Sequence, residues 1–479
     1  MPVTDLHRNY PARQTQWGRC RDAFEGADAV KAAGETYLPR LGGQKQHDYE
    51  AYVKRATWYG ATARTILGLT GSVMRKPPTF EGPDAVQAQM DNVTGTNESL
   101  AAFTARVVQE VLTVGRVGVL LDLPQMVAGE VPRPYWVRYT PEQITNWRCQ
   151  ILNGVKVLTL VVLREEVEAG GDQFTSALTR QYRVLQLTGG VYQVFVYRQV
   201  GESSEFTLVE ELIPRVRGEA LPYIPFVFIN PLNLDVEPDK PPLLDMIDLN
   251  YSHYMTSADL EHGRHFTALP TPYVTGIAKD TALRIGSSTA WAIPAADAKV
   301  GMLEFTGQGL QALEKAADSK ERQMAVLGAR MLEEQKAQVE ATETHAIRRS
   351  GESSMLASIA ETISIGLTML VQWHAQWVGV SAPESELKVG LNKDFFGLPL
   401  SPTEIAELVR TWQAGGISYE TLYYNLQQGE ITRPGITADD EKTQIELETP
   451  DIDLEGGDDD EGNDQSSAQG DEGSAGQSV

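Results

Sequence analysis

The chain has 479 residues but only two cysteines, Cys20 and Cys149. That excludes a disulfide framework and a Cys-based zinc site and suits a reducing compartment. Basic residues are in deficit as well, with 41 Lys and Arg against 65 Asp and Glu and a net charge of −24. Sequence-independent grip on DNA or on anionic membranes needs the opposite balance, so tight electrostatic binding to either is excluded. Long apolar runs are missing too. The most apolar stretch, Thr362 to Val371, is flanked by Glu361, Gln372, His374 and Gln376, well short of the roughly 20 residues that span a bilayer. The first residues, Met-Pro-Val-Thr-Asp-Leu-His-Arg-Asn-Tyr, lack the apolar core of a signal peptide and the charge pattern of a transit peptide. The expectation is a soluble, non-secreted protein with no membrane partner.

Signatures of chemistry are equally scarce. There is no Walker-type phosphate loop, no dinucleotide-binding glycine fingerprint, no His-Glu-x-x-His and no Gly-x-Ser-x-Gly nucleophile elbow. No catalytic residue, cofactor site or metal site is expected. His262 and His265 are spaced to share a metal on a helix, but no third ligand lies near them in sequence. Asp451, Asp453, Glu455 and Gly456 resemble the start of a calcium loop, yet its twelfth position is Gly462 and no helices flank it. Asn92-Val-Thr94 and Asn97-Glu-Ser99 match a glycosylation sequon that a non-secreted chain would not use.

What is present is a folded body with a charged end. At 42% hydrophobic and 22% charged residues the chain is ordinary for a folded protein, and its length calls for two to four domain-sized units. Residues 439–479 hold 15 Asp and Glu against Lys442 alone, which is −14 of the −24. From Gly456 onward almost nothing apolar is left to offset the entropy of ordering, so this tail is expected to be disordered.

Residues 1–80 read mainly as helices, with apolar groups at helical spacing over Ala23–Ala33 and Tyr49–Leu69, ended by Lys76-Pro77-Pro78. A further helix runs from about Glu98 to Val114, with Gly115 placed to terminate it in the left-handed conformation. Strand patterns follow at Val117–Asp122, Val155–Leu163, Gln181–Leu187, Val191–Arg198, Phe206–Leu212 and Ile224–Ile229, and Thr188-Gly189-Gly190 reads as a hairpin turn. The fold class is α+β on an antiparallel sheet, because alternating βαβ units are absent.

After Pro241-Pro242 comes a helix of about 25 residues ending near Phe266. At 100° per residue Asp245, Asp248, Ser252, Thr256 and Asp259 share one stripe between apolar flanks, Met255 lying on one of these. Such a helix suits a ring of helices with the stripe facing a central lumen. It suits equally a helix in any bundle with its acids in bulk water, the commoner arrangement. Strand signals at Pro272–Ile277 and Ala290–Ile293 precede a second long helix, Gly309–Lys336. A polar interruption, Gln338–Ser350, holds the basic Arg348 and Arg349 after Lys336, readable as a solvated loop or as one that touches phosphate. A third long helix, Ser353–Val378, and two shorter ones, Pro402–Ala414 and Ser418–Gln428, complete the pattern.

Several phrases, in this order, resemble the portal proteins of tailed bacteriophages, specifically a branch known only as a phage domain of unknown function. They include Asp22-Ala-Phe-Glu-Gly-Ala-Asp-Ala-Val-Lys31, Tyr52-Val-Lys-Arg-Ala56, Arg75-Lys-Pro-Pro78, Gly115-Arg-Val-Gly-Val-Leu-Leu-Asp122 and Ile144-Thr-Asn-Trp147. Pro241-Pro-Leu-Leu-Asp245, Asn250-Tyr-Ser-His253, Glu340-Ala-Thr342 and Glu352-Ser-Ser-Met-Leu356 continue the series. The resemblance covers about residues 20–440.

It implies a non-enzymatic ring, typically of twelve subunits, at one capsid vertex of the virion, assembled in the host cytoplasm. Double-stranded DNA would pass through it during packaging and ejection without sequence-specific binding. Partners would be the major capsid protein, the terminase during packaging and a head-tail adaptor or tail protein afterwards. The implied architecture is a wing (1–240), a first stem helix (241–267), a clip (268–308) and a second stem helix (309–336). It continues with a tunnel loop (337–350), a long wing helix and return strand (351–400), a helical crown (401–438) and the acidic tail (439–479). In that frame the stripe of Asp245, Asp248, Ser252, Thr256 and Asp259 would line the channel, and Lys336, Arg348 and Arg349 would touch DNA from the tunnel loop. The alternatives are an acidic phage scaffold or adaptor protein and, further off, a phage hydrolase or maturation enzyme.

Overall fold

The computed structural model describes residues 2–123, 133–168, 177–199, 205–268, 271–276, 297–303, 308–332, 354–380, 382–395, 402–429, 431–432 and 436–448. It divides into two units, Met1–Phe396 and Gly397–Val479.

Unit 1 opens with helices α1 (Tyr10–Glu25), α2 (Ala27–Ala32), α3 (Gln46–Arg55) and α4 (Ala61–Val73), then strand β1 (Thr79–Glu81) and helices α5 (Asp84–Gln87) and α6 (Leu100–Val114). Strands β2 (Val117–Asp122), β3 (Tyr135–Tyr139), β4 (Ile144–Leu152), β5 (Val155–Glu168), β6 (Leu178–Thr188), β7 (Val191–Gln199) and β8 (Phe206–Leu212) follow, with the short β9 (Arg215–Val216) and β10 (Glu219–Ala220), and β11 (Phe226–Ile229). The long helix α7 (Leu244–Ala268), strands β12 (Thr271–Thr275) and β13 (Lys299–Leu303), helices α8 (Gln308–Ala329) and α9 (Met355–Val378) and strand β14 (Lys388–Gly390) complete it. Unit 2 holds α10 (Pro402–Gln413), α11 (Tyr419–Gln428) and α12 (Ala438–Glu448).

The described strand pairings are all antiparallel: a five-stranded sheet β4-β5-β6-β7-β8, a three-stranded sheet β11-β2-β3, and the pairs β1-β14, β9-β10 and β12-β13. The α+β expectation therefore holds. Several boundaries differ from it. The stretch Tyr49–Leu69 is two helices, because the Asn250 amide donates to Tyr59 O (2.9 Å) and its oxygen accepts from Thr62 N (3.3 Å) and Thr62 Oγ1 (2.8 Å), which fixes a break between α3 and α4. The second long helix stops at Ala329, short of Lys336. Strand β12 pairs with β13, whereas Ala290–Ile293 lies outside the described residues. Residues 439–448, at the start of the tail expected to be disordered, are helical in α12. Among the described residues α9 alone has the length and apolarity of a membrane span. It is instead the central core helix: Leu356, Ile359, Ala360, Ile363, Leu367, Leu370 and Val371 are wholly buried, and Gly366 lets it approach β11 so closely that a Cβ there would fall 2.9 Å from Ile229.

Capping follows local chemistry. The Ser99 hydroxyl accepts from Ala102 N at the start of α6, and Gly115 ends that helix at φ 75°, the left-handed region where a Cβ is costly. A Cβ on Gly115 would also meet Pro241 Cα at 2.9 Å.

Three arginines lie between elements, Arg21 and Arg183 half-buried and Arg116 fully buried. The Arg21 guanidinium donates to Glu142 (2.6 and 2.8 Å) and to Glu110 (2.5 and 3.2 Å), tying α1 to α6 and to the turn before β4. Lys offers one ammonium in place of this fork and cannot reproduce both bidentate contacts. Arg21→Lys is therefore expected to cost about 2 kcal/mol, read as a lower denaturant midpoint. Arg183 joins the two sheets by donating to Asp122 (2.7 Å) while its Nε lies 3.0 Å from Glu165, which also accepts from Tyr139 (2.6 Å). The third group, Arg116, is fully buried with its guanidinium 4.4 Å from the ring centres of both Trp147 and Phe228. Its three nitrogens have no hydrogen-bond partner among the described residues.

Candidate functional site

Helices α7 and α8 form an antiparallel pair. Helix α7 begins after Pro241-Pro242 with Asp245 in its first turn, where a carboxylate favours the helix dipole. Its inner face, Leu244, Ile247, Tyr251, Tyr254 and Ala258, is buried in the core of unit 1. Contacts with α8 fix the register of the pair: His253 Nε2 lies 3.2 Å from Glu321 Oε1, Arg264 donates to Glu314 (2.8 Å), and Lys320 Nζ donates to Ser252 O (3.0 Å) and Thr256 Oγ1 (2.6 Å). Burial lowers the Lys320 pKa from its ordinary value. Strands β12 and β13 pair at the far end of the two helices, with Thr271 opposite Leu303 and Thr275 opposite Lys299.

The expected stripe divides. Asp245, Asp248 and Asp259 are exposed; Ser252 is half-buried, and Thr256 is buried at 8% exposure beneath Lys320, so it faces α8 and not an open surface. Each exposed acid keeps one partner within the chain. Lys240 Nζ lies 2.6 Å from Asp245 Oδ1, Arg19 Nη1 lies 2.9 Å from Asp248 Oδ1, and the Tyr52 hydroxyl donates to Asp259 Oδ1 at 2.6 Å. Met255, placed on an apolar flank by the helical wheel, is 38% exposed on the same strip as the acids, and Phe266 is 48% exposed. Lys336, Arg348 and Arg349 lie outside the described residues.

The partners that sequence reading missed are Lys320, Glu321 and Glu314. Their signal was the helical spacing of α8, but only its pairing with α7 shows which residues they meet. Among the described residues no three His, Cys, Asp or Glu converge as a metal site; His262 packs its ring edge-on against Tyr52 instead (5.2 Å). A cavity of about 490 Å³ lined by Arg217, Gln376, Gly379, Val380, Ala382 and Pro383 contains no nucleophile and no acid–base pair. Burial pushes the Cys20 thiol up to about 12, which keeps it unreactive.

Residues 242–378 match the family described as Domain of unknown function (DUF4055). The matched stretch begins just before α7 and ends with α9, so it contains the helix pair, the hairpin and the core helix. No curated protein matches the chain. Among solved structures it is similar to a chain of the virion of a native gene transfer agent particle, at 12% identity and TM-score 0.40, covering 84% of this chain and 99% of that one. It is similar also to a chain of the neck of the empty particle computed with C6 symmetry (13% identity, TM-score 0.38, 84% and 98% covered). A chain of the native particle's neck computed with C12 symmetry gives 10% identity, TM-score 0.38, and 83% and 98% covered.

Proposed function

We propose that the chain is the subunit of a portal-type ring, a non-enzymatic channel at one capsid vertex through which double-stranded DNA is packaged and ejected. The observation that carries the reading is the antiparallel pair α7–α8, closed by the β12–β13 hairpin and followed by the buried helix α9. The same order, stem, clip, stem and wing helix, is implied by the sequence phrases that resemble portal proteins. The matched DUF4055 stretch covers that block.

In this reading α7 and α8 are the stem, the hairpin region is the clip that meets the terminase and then a head-tail adaptor, and residues 1–240 with α9 form the wing. Helices α10 and α11 belong to the crown. The function is geometric: the ring joins the capsid lattice, through contacts with the major capsid protein, to the tail, and its acidic body lets a like-charged duplex slide without adhering. An exposed acidic strip has two destinations in such a ring, the bore or the boundary with the next subunit.

The test is imaging of the purified full chain by negative stain, with its mass measured in solution. Annular particles of about a dozen subunits are expected; a chain that stays monomeric at micromolar concentration refutes the reading. The competing role, a scaffold or adaptor acting through the acidic tail, predicts that deleting residues 439–479 abolishes function. Here ring assembly is expected to survive that deletion. Nuclease, protease and ATPase assays separate the channel from the hydrolase alternative and are expected to be blank.

A further inference from the structure

We propose that the exposed strip of α7 docks on the outer face of α8 of a second copy of this chain. The inference rests on the ring reading and states which surfaces close the ring. Three acids and two apolar groups share the strip: Asp245, Asp248, Asp259, Met255 and Phe266. A surface that only repels DNA has no use for exposed Met and Phe, whereas the buried centre of a protein interface favours both. Each acid has the Oδ1 partner described above, and a carboxylate has further acceptor positions on its second oxygen.

The complementary surface is on α8. The face turned away from α7 carries Lys315, Arg322 and Val326, continued by Arg330 in the turn just after the helix, all exposed, with Asp318 at its margin. Among the described residues none of the three bases pairs with a carboxylate side chain; Arg322 donates only to the backbone oxygen of Asp318 (3.2 Å). Charge is thus segregated, acids on one helix and bases on the far side of the other.

The spacing also matches. Asp245 and Asp259 are 14 residues apart in the sequence, about 21 Å along a helix, and Lys315 and Arg330 are 15 residues apart, about 22 Å. Within one chain His253 is level with Glu321. Counting outward along the two antiparallel helices puts Asp259 level with Lys315, Ser252 with Arg322, and Asp245 beside the level of Arg330. Rotation about a ring axis running along the pair leaves these levels unchanged. The next copy then offers Lys315 to Asp259, Arg330 to Asp245, and Arg322, one helical turn away, to the neighbourhood of Asp248. Such a contact is head-to-tail, the type that closes rings. It moves the three acids from the bore to the subunit boundary.

The experiment uses the full chain in three variants, followed by mass photometry and negative stain. Asp245→Lys with Asp259→Lys reverses the acidic strip; Lys315→Glu with Arg330→Glu reverses the basic one; the third variant carries all four changes. Either reversal alone is expected to leave monomers under conditions in which the unaltered chain forms rings. The fourfold variant, and an equimolar mixture of the two reversed chains, are expected to form rings again, which misfolded chains could not do. Reversed chains that assemble like the unaltered protein overturn the inference and return the acids to the bore, with the ring reading intact. Failure of both the fourfold variant and the mixture to reassemble overturns the pairing. Unaltered chain without rings removes the ring reading and this inference together.

Discussion

Arg116→Ala is expected to lower stability by about 4 kcal/mol, whereas Arg116→Met stays within about 1 kcal/mol of the unaltered chain. Two opposed effects meet at this side chain. Its guanidinium fills the space between Trp147 and Phe228, and truncation leaves a cavity and forfeits two cation–π contacts. The same guanidinium is a fully buried cation whose donors have no partner among the described residues, and desolvating such a charge is costly. Burial pushes its pKa down to about 9, with Glu237, Asp239 and Asp235 acting in the opposite direction, so it remains charged at neutral pH. Methionine keeps most of the volume and removes the unpaired charge, so its gain and loss nearly cancel. Denaturant unfolding with unchanged slope measures both variants. Alanine no worse than methionine would show that packing is not what this residue supplies.

The second large effect is acid sensitivity from His374. This imidazole is wholly buried on α9, with Nε2 2.7 Å from Gln89 Oε1 and Nδ1 without a partner among the described residues. Burial, helped by the charge on Arg133, lowers its pKa to about 4. The unfolded chain takes up this proton as pH falls through about 6.5, while the folded chain refuses it until about pH 4. Stability tied to the neutral ring is therefore present above pH 6.5 and lost between about 6.5 and 4, by about 3 kcal/mol. His374→Gln keeps a donor for Gln89 and has no proton to gain. The stability difference between the two proteins should shift by that amount across this window, read from unfolding at pH 7, 5.5 and 4. A difference independent of pH would mean that His374 titrates normally.

Where punctuation is local, the sequence shows the fold. Ser99 and Gly115 bracket α6, Thr188-Gly189-Gly190 turns β6 into β7, and the apolar spacing of α9 marks a core helix, because capping, turn geometry and helical period act over a few residues. Strands β3 and β4 escaped notice: Ile144-Thr-Asn-Trp147 has no clean alternation, its register shifts at Asn146, and its buried residues are chosen by tertiary neighbours. The break between α3 and α4 was hidden for a related reason, since the amide that fixes it belongs to Asn250, far along the chain. For the candidate site, the exposure of Asp245, Asp248 and Asp259 followed from the helical wheel. The covering of Thr256 did not, because it depends on Lys320 in another helix.

The contact between Gly115 and Pro241 has a mechanical consequence. The left-handed turn after α6 leaves no space for even a methyl group beside the chain that leads into α7. Pivoting of α7 where it enters the body would have to disturb this contact. The β12–β13 pair lies about 37 Å away along the 25 residues of α7, so a load on it would enter the body beside α6 and the β2 sheet.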